Sequence, residues 1–291
     1  MSRKTASKGR ESLRRYSFLQ SLLLAGPLLI LLSVFFLYPL LTLFPESLTK
    51  EGQFSLLHYE QFFREPLYTH IVFRTIKIAL FVTAICFLLG YPTAYIMAEL
   101  KNKKILALSM ICVLLPFFTS ILVRSYAWIV LLQSNGIINK FLVSIGLIKE
   151  PLNLLHNEFA VFVGMVHILL PFMILPIYSV LKNLDRNLLR AARNLGANAL
   201  KAFATVTFPL SLPGVGAGVM FVFILSLGFF ITPALLGGPT TLMIATLISQ
   251  LVNLTMNWEL AEATAVMLLM ITIIILVIFN KIIGLDKIYR E

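Results

Sequence analysis

The chain has 291 residues, of which 59% are hydrophobic and only 13% charged, with a mean hydropathy of +0.91. A soluble domain carries about a quarter charged residues, so this composition excludes a soluble globular protein and points to an integral membrane protein. The net charge of +11 reads as a topology signal, because the basic residues gather on one side of the apolar runs. It needs no nucleic acid to explain it.

In chain order, residues 1–16 read as a basic cytoplasmic tail without ordered structure, and residues 17–291 as one transmembrane domain with no linker dividing it. Six apolar runs, 20–44, 71–99, 105–132, 158–182, 214–236 and 259–284, reach the roughly 20 residues a membrane-spanning helix requires. They are continuous rather than alternating, which excludes a transmembrane barrel and predicts an all-α bundle. The first run is too long for a signal-peptide core and lacks a small-x-small cleavage site, so it is read as a span. Seventeen Lys and Arg fall in the tail, the 100–104 turn, the 182–201 stretch and the C-terminal end, against four (Lys50, Arg64, Lys140, Lys149) on the other side. Both termini are therefore expected in the cytoplasm. Cys86 and Cys112 lie within spans, without metal spacing, and read as packing residues.

Between the fourth and fifth runs lies a polar island, Leu184–Gly214, reading LDRNLLRAARNLGANALKAFATVTFPLSLPG. Its helical periodicity extends to about Phe208. Arg186, Arg190, Arg193 and Lys201 are placed on one face, with Leu188, Leu189, Ala192, Leu195, Ala199 and Phe203 opposite. Two readings fit: a basic surface helix against anionic lipid headgroups, or a helix seated in the groove of a soluble partner. The small residues Ala191, Ala192 and Gly196 favour the second, since close approach of two backbones requires them. The GVGAG run at 214–218 lacks the Gly-Lys-Ser/Thr of a phosphate loop and is expected to let helices pack closely.

Ionisable residues inside spans mark candidate pathways. Arg74 and Lys77 either snorkel to the interface or line the path. Arg124, flanked by Tyr126 and Trp128, either caps neighbouring carbonyls or is a pathway or gate residue. His167 is read as packed and neutral. The chain has no Walker motif, no paired carboxylates and only four scattered histidines, so it is not read as an enzyme.

These features carry a resemblance. Ala191, Ala192 and Gly196, with Pro209 and Pro213 closing the segment, resemble the docking-loop signature of permease subunits of bacterial binding-protein-dependent ABC importers. That signature begins Glu-Ala-Ala, and here Arg190 replaces the Glu. LPFFTSILVRSYAWIVLL at 115–132, FITPALLGGP at 230–239 and GYPTAY at 90–95 are similar to the polyamine-type branch. The likeness runs from about residue 20 to 285.

It implies a six-span type I importer bundle in the inner membrane, with a cytoplasmic coupling helix at about 184–213. The expected docking residues are Arg190, Ala191, Ala192, Gly196, Ala197, Phe203, Pro209 and Pro213. The expected pathway residues are Arg124, Tyr126, Trp128 and Arg74. The implied partners are an ATP-binding cassette ATPase dimer, which alone binds ATP, a second and different permease chain, an external solute-binding protein and the lipid bilayer. The implied solute is spermidine or putrescine. The intramembrane cations suit a small anionic or zwitterionic metabolite better, and that alternative stays open beside a carrier or channel that works without an ATPase.

Overall fold

The computed structural model describes residues 18–50 and 53–283, so the tail at 1–16 lies outside the described residues. Six apolar helical stretches, Leu23–Ser47, Pro66–Glu99, Ile121–Ser144, Glu158–Lys182, Ala199–Leu227 and Trp258–Lys281, are long enough to cross a membrane. The first comprises α1 (Phe18–Leu32), a π-turn at Ser33–Leu37, and α2 (Tyr38–Ser47). A short hairpin, β1 (Thr49–Lys50) with β2 (Gln53–Phe54), leads to α3 (Leu57–Arg64) and then α4 (Pro66–Glu99). At 1.5 Å per residue, the 34 residues of α4 span about 51 Å, well beyond a hydrocarbon core of about 30 Å.

The third apolar run is not the single helix expected at 105–132. It divides into α5 (Lys103–Leu114), a 3₁₀ turn at Leu115–Phe118 and α6 (Ile121–Leu132), followed by α7 (Ile137–Ser144). Thr119 and Ser120 are extended, with ψ of 139° and 137°. Pro116 removes a helical N–H at this point. Proline alone does not explain the break, because α8 (Glu158–Lys182) runs unbroken through Pro171 and Pro176. The difference is packing: α8 is buried along its length, whereas α5 has no buried residue. Nothing presses the chain back into helix beyond Pro116.

The fifth run is also displaced from the expected 214–236. After α9 (Arg186–Asn194) and α10 (Ala199–Ala202), a π-turn at Phe203–Thr207 feeds directly into α11 (Phe208–Leu227). Pro209 stands in the first turn of α11, where its missing N–H is tolerated, and the wider turn before it shifts the register. Pro213 lies inside α11. The island's closing prolines therefore belong to the span. Gly228 ends α11, and α12 (Ile231–Leu236) is a separate short helix, followed by α13 (Ile244–Asn253) and α14 (Trp258–Ile283).

The core is the mutual packing of α4, α8 and α11, which buries Ile78, Val82, Met165, Leu169, Met173 and Val222. Cys86 is packed in this core and Cys112 is exposed. Small residues set the spacing, as expected of the GVGAG run. A Cβ on Gly214 would stand 2.8 Å from the Pro176 carbonyl oxygen, and one on Gly218 2.9 Å from Met173 Sδ. Buried hydroxyls join the elements. Thr75 accepts from the Ile244 N–H at 3.0 Å, Tyr91 meets Ser211 at 3.0 Å, and Ser125 meets Thr232 at 3.1 Å. At the ends of α4 and α8 away from the island, Lys77 donates to Glu158 at 2.6 Å, with Arg74 3.9 Å from the same carboxylate. Glu158 stands in the first turn of α8, beside the Asn157 cap that accepts from the Ala160 N–H, where the helix dipole also favours a negative charge.

Gly214→Leu is expected to lower the Tm in detergent, since overpacking costs about 1–3 kcal/mol. Gly26→Leu, whose Cβ meets nothing within 4 Å, should leave it in place; equal Tm values for the two would contradict the close α8–α11 contact. Glu158→Gln, which strips two cations of their counter-ion, should also lower the Tm, and adding Lys77→Met should restore part of the loss. No recovery in the double variant would mean that the pair is not coupled.

Candidate docking loop and pathway wall

The island folds as two helices rather than one. Asp185 caps α9 by accepting from the Asn187 N–H at 2.9 Å, and Asn198 caps α10 by accepting from the Lys201 N–H at 2.8 Å. Between them the chain turns back through a left-handed residue, Gly196, at φ +85°. The Ala197 N–H reaches the Ala192 carbonyl at 3.1 Å and the Gly196 N–H the Arg193 carbonyl at 2.9 Å. These two bonds define a Schellman cap. Gly196 is thus required by backbone conformation, and a Cβ there would meet nothing within 4 Å inside this chain. Lys201 stands on α10, beyond the turn, so it does not extend the α9 face that carries Arg186, Arg190 and Arg193.

Phe203 is not part of the free surface. Its ring meets Tyr95 edge-on at 5.6 Å and Tyr91 edge-on at 5.9 Å, with Phe208 at 6.3 Å. Arg186 donates to the Ala98 carbonyl at 3.2 Å and to Glu99 at 3.3 Å. It thereby serves a terminal carbonyl of α4, a group left unpaired by the helix itself. The island is rooted on α4 at one end and runs into α11 at the other. What it leaves bare is Arg190, Ala191, Arg193, Leu188, Leu195 (89% exposed) and Leu200 (76%). Ala192 and Ala197 are half-buried. Leu200 escaped the sequence reading because a single helix to Phe208 hides the turn that presents it.

The pathway residues do not form one cluster. Arg124 and Trp128 lie one turn apart on α6, while Tyr126 is exposed on another face. Trp128 Nε1–H donates to His167 Nδ1 at 3.1 Å across to α8. His167 is exposed rather than packed, and this bond requires an unprotonated Nδ1. Arg74 and Lys77 share Glu158, so both cations have a counter-ion in addition to any reach toward the interface. Glu158 was missed in sequence; the signal was an acid in the first turn of a span, paired with Lys77, 81 residues away in the chain, and with Arg74.

Arg124 is half-buried beside a cavity of about 270 Å³ formed by the break at 116–121, α8 and the end of α11. Its Nε is buried and has no hydrogen-bond partner among the described residues. The carbonyl-capping reading is therefore not met at that atom. Among the described residues, no group of three or more His, Cys, Asp or Glu is placed to hold a metal.

Residues 90–285 match the family described as binding-protein-dependent transport system inner membrane component. The spermidine/putrescine transport system permease protein PotB of Haemophilus influenzae is 36% identical, covering 83% of this chain and 86% of its own. That of Escherichia coli is 35% identical over 78% and 82%. The inner membrane ABC transporter permease protein YdcU of Escherichia coli is 36% identical over 75% of each. In structure, the chain is similar to a bacterial ABC transporter involved in the import of the acidic polysaccharide alginate. The TM-score is 0.69 at 21% identity, over 91% of this chain and 95% of that one. That likeness is one of fold: a helical permease bundle with six apolar spans. The chain belongs to the family of inner-membrane permease components of binding-protein-dependent ABC importers.

Proposed function

We propose that this permease imports a polyamine, forming half of a solute path whose other half is a different permease chain, and that an ATP-binding cassette ATPase dimer grips its island. The solute comes to the reading from relatives named for spermidine and putrescine that are 35–36% identical over most of the chain. The orientation follows the charge bias, with both termini and the island in the cytoplasm. A solute-binding protein delivers the polyamine at the opposite face. ATP binds and is hydrolysed on the ATPase, and this chain supplies no reacting group.

The observation that carries the docking reading is the island's combination of rigid roots and a bare tip. Leu195 and Leu200 stand exposed on this polar segment, two apolar side chains that a docked partner would cover. The tip is tied to the membrane bundle through Phe203, Arg186 and the π-turn into α11. A pull on α9 and α10 therefore reaches α4 and α11 without slack. Closure of the ATPase would move the two central helices to which the loop is fastened, and access to the path would alternate. Arg190, where the family signature has Glu, calls for an acidic residue on this chain's own ATPase.

The test is purification of the complex from its native membrane in mild detergent, with mass spectrometry of the co-purifying chains. Leu195→Glu with Leu200→Glu should lose the ATPase and keep the second permease; retention of the ATPase would place its grip elsewhere. Gly196→Ala, which puts a side chain into a left-handed conformation at roughly 1 kcal/mol, should weaken the same contact less. Arg190→Glu should weaken it also, and unchanged or tighter binding would exclude an acidic partner. Reconstituted with its partners, the importer should take up radiolabelled spermidine only with ATP; no uptake would overturn the polyamine reading.

A further inference from the structure

We propose that the cavity at the break in the third span is a seat for an anionic group, and that its occupant is a carboxylate of the second permease. The proposal rests on the reading above for two things: a second permease as the facing bundle, and a polyamine as the solute, because a polyamine has no anionic group to offer.

The argument begins with direction. Side chains on a helix lean back toward its N-terminus, and Arg124 sits near the start of α6, just after the break. The residues that share its cavity are Pro116, Phe117 and Thr119 of the break, with Leu169, Pro171 and Phe172 of α8. Pro171 and Phe172 lie at the middle of the 25-residue α8, so Arg124 shares its cavity with the middle of that span. It points away from the headgroups nearest the far end of α6. Snorkelling, which accounts for many intramembrane cations, does not describe it.

A guanidinium does not release its proton in a protein, so this charge requires a counter-charge or several acceptors. Among the described residues it forms no ion pair; the pairs of this chain are made by Glu60, Glu99, Glu158 and Glu259, all at helix ends. Its Nε is buried without an acceptor. The nearby polar pair, Trp128 and His167, is occupied with itself. The rest of the lining is largely aromatic and aliphatic, where low polarity strengthens the pull on an anion. The free N–H end of α6 adds charge of the same sign. Phe118 (87% exposed) and Val123 (63%) flank the site on the surface, so the mouth opens on a face this chain leaves uncovered. An anion must enter from outside the chain, beside the middle of α8. In an importer whose path lies between two bundles, the group that meets those terms is an acidic side chain on the facing permease.

The experiment reads the charge at the seat. Thr119→Cys, in a chain carrying Cys86→Ala and Cys112→Ala, places a thiol in the cavity lining while leaving Arg124 intact. Its rates of modification by cationic and anionic methanethiosulfonate reagents are compared with those at Ser134→Cys, an exposed control in the following loop. In the isolated subunit the anionic reagent should be favoured by about tenfold or more relative to the control, as a nearby bare charge predicts. In the assembled importer that preference should vanish, and with Arg124→Gln added it should reverse toward the cationic reagent, because the partner's acid is left unpaired. An anionic preference that persists in the assembled importer overturns the proposal. So does one that vanishes only when the solute-loaded binding protein is added, since the anion would then be the solute's own. Spermidine uptake is measured on the same preparations. Uptake with a persistent anionic preference sinks the seat and leaves the solute reading standing. No uptake with the expected reversal sinks the solute reading alone.

Discussion

Charge in hydrocarbon is the constraint on which the arrangement of this chain turns. A bare ion there is costly by several kcal/mol, and the bundle answers in a different way at each level. At the far end, Lys77 and Arg74 share Glu158, which fastens α4 to α8. At the island end, Arg186 meets Glu99 and the Ala98 carbonyl, fastening the loop to the last turn of α4. Both are ties between elements distant in sequence, made where the side chains reach the polar boundary. Arg124 stands beside the middle of α8, and it alone of these basic residues has a buried nitrogen without a partner among the described residues.

Between those tied ends, the body of the fold is held mainly by close packing, to which the buried Tyr91–Ser211 bond between α4 and α11 adds. Gly214 and Gly218 bring the α11 backbone against Pro176 and Met173 of α8, and Gly90 brings α4 against Met173. Lipid offers no hydrophobic drive for helices to associate, so small residues and dispersion must supply it. The consequence is a stiff three-helix block. A stiff block transmits displacement, and the island enters it directly, through the π-turn into α11 and through the Tyr91–Tyr95–Phe203 cluster onto α4.

The sequence displayed what depends on composition and near neighbours. Six apolar runs, the small-residue stripe and the isolation of the island all follow from periodicity and residue type. What it hid depends on contacts across the chain. Pro116 breaks its helix while Pro171 and Pro176 do not, and the residues themselves are alike; the difference is whether neighbours bury the segment. Glu158 and Lys77 are 81 residues apart, so no local pattern joins them. Gly196 was visible as a small residue in a helical pattern, and either close packing or a left-handed turn satisfies that. The backbone angle shows the turn, and close approach of a partner is compatible with it. Pro209 and Pro213 looked like the end of the island because prolines so often end helices, yet a π-turn absorbed the first and packing against α8 held the second.

The break in the third span bears on how the bundle moves. Irregular backbone at membrane depth is tolerated where it is buried in protein or lines a cavity, and at 115–120 it does the latter. The segment is lightly held: α5 has no buried residue, and α6 is tied to α12 by the Ser125–Thr232 bond and to α8 by the Trp128–His167 bond. The α4–α8–α11 block is much more firmly packed. On the docking proposed above, a force delivered to the block through the island would meet its least resistance at the break. Arg124 stands beside it, so a shift of the block against α6 changes the surroundings of that cation. Conformational work and electrostatics meet at the same few residues, and the group that neutralises Arg124 would also determine which position of α6 the bundle prefers.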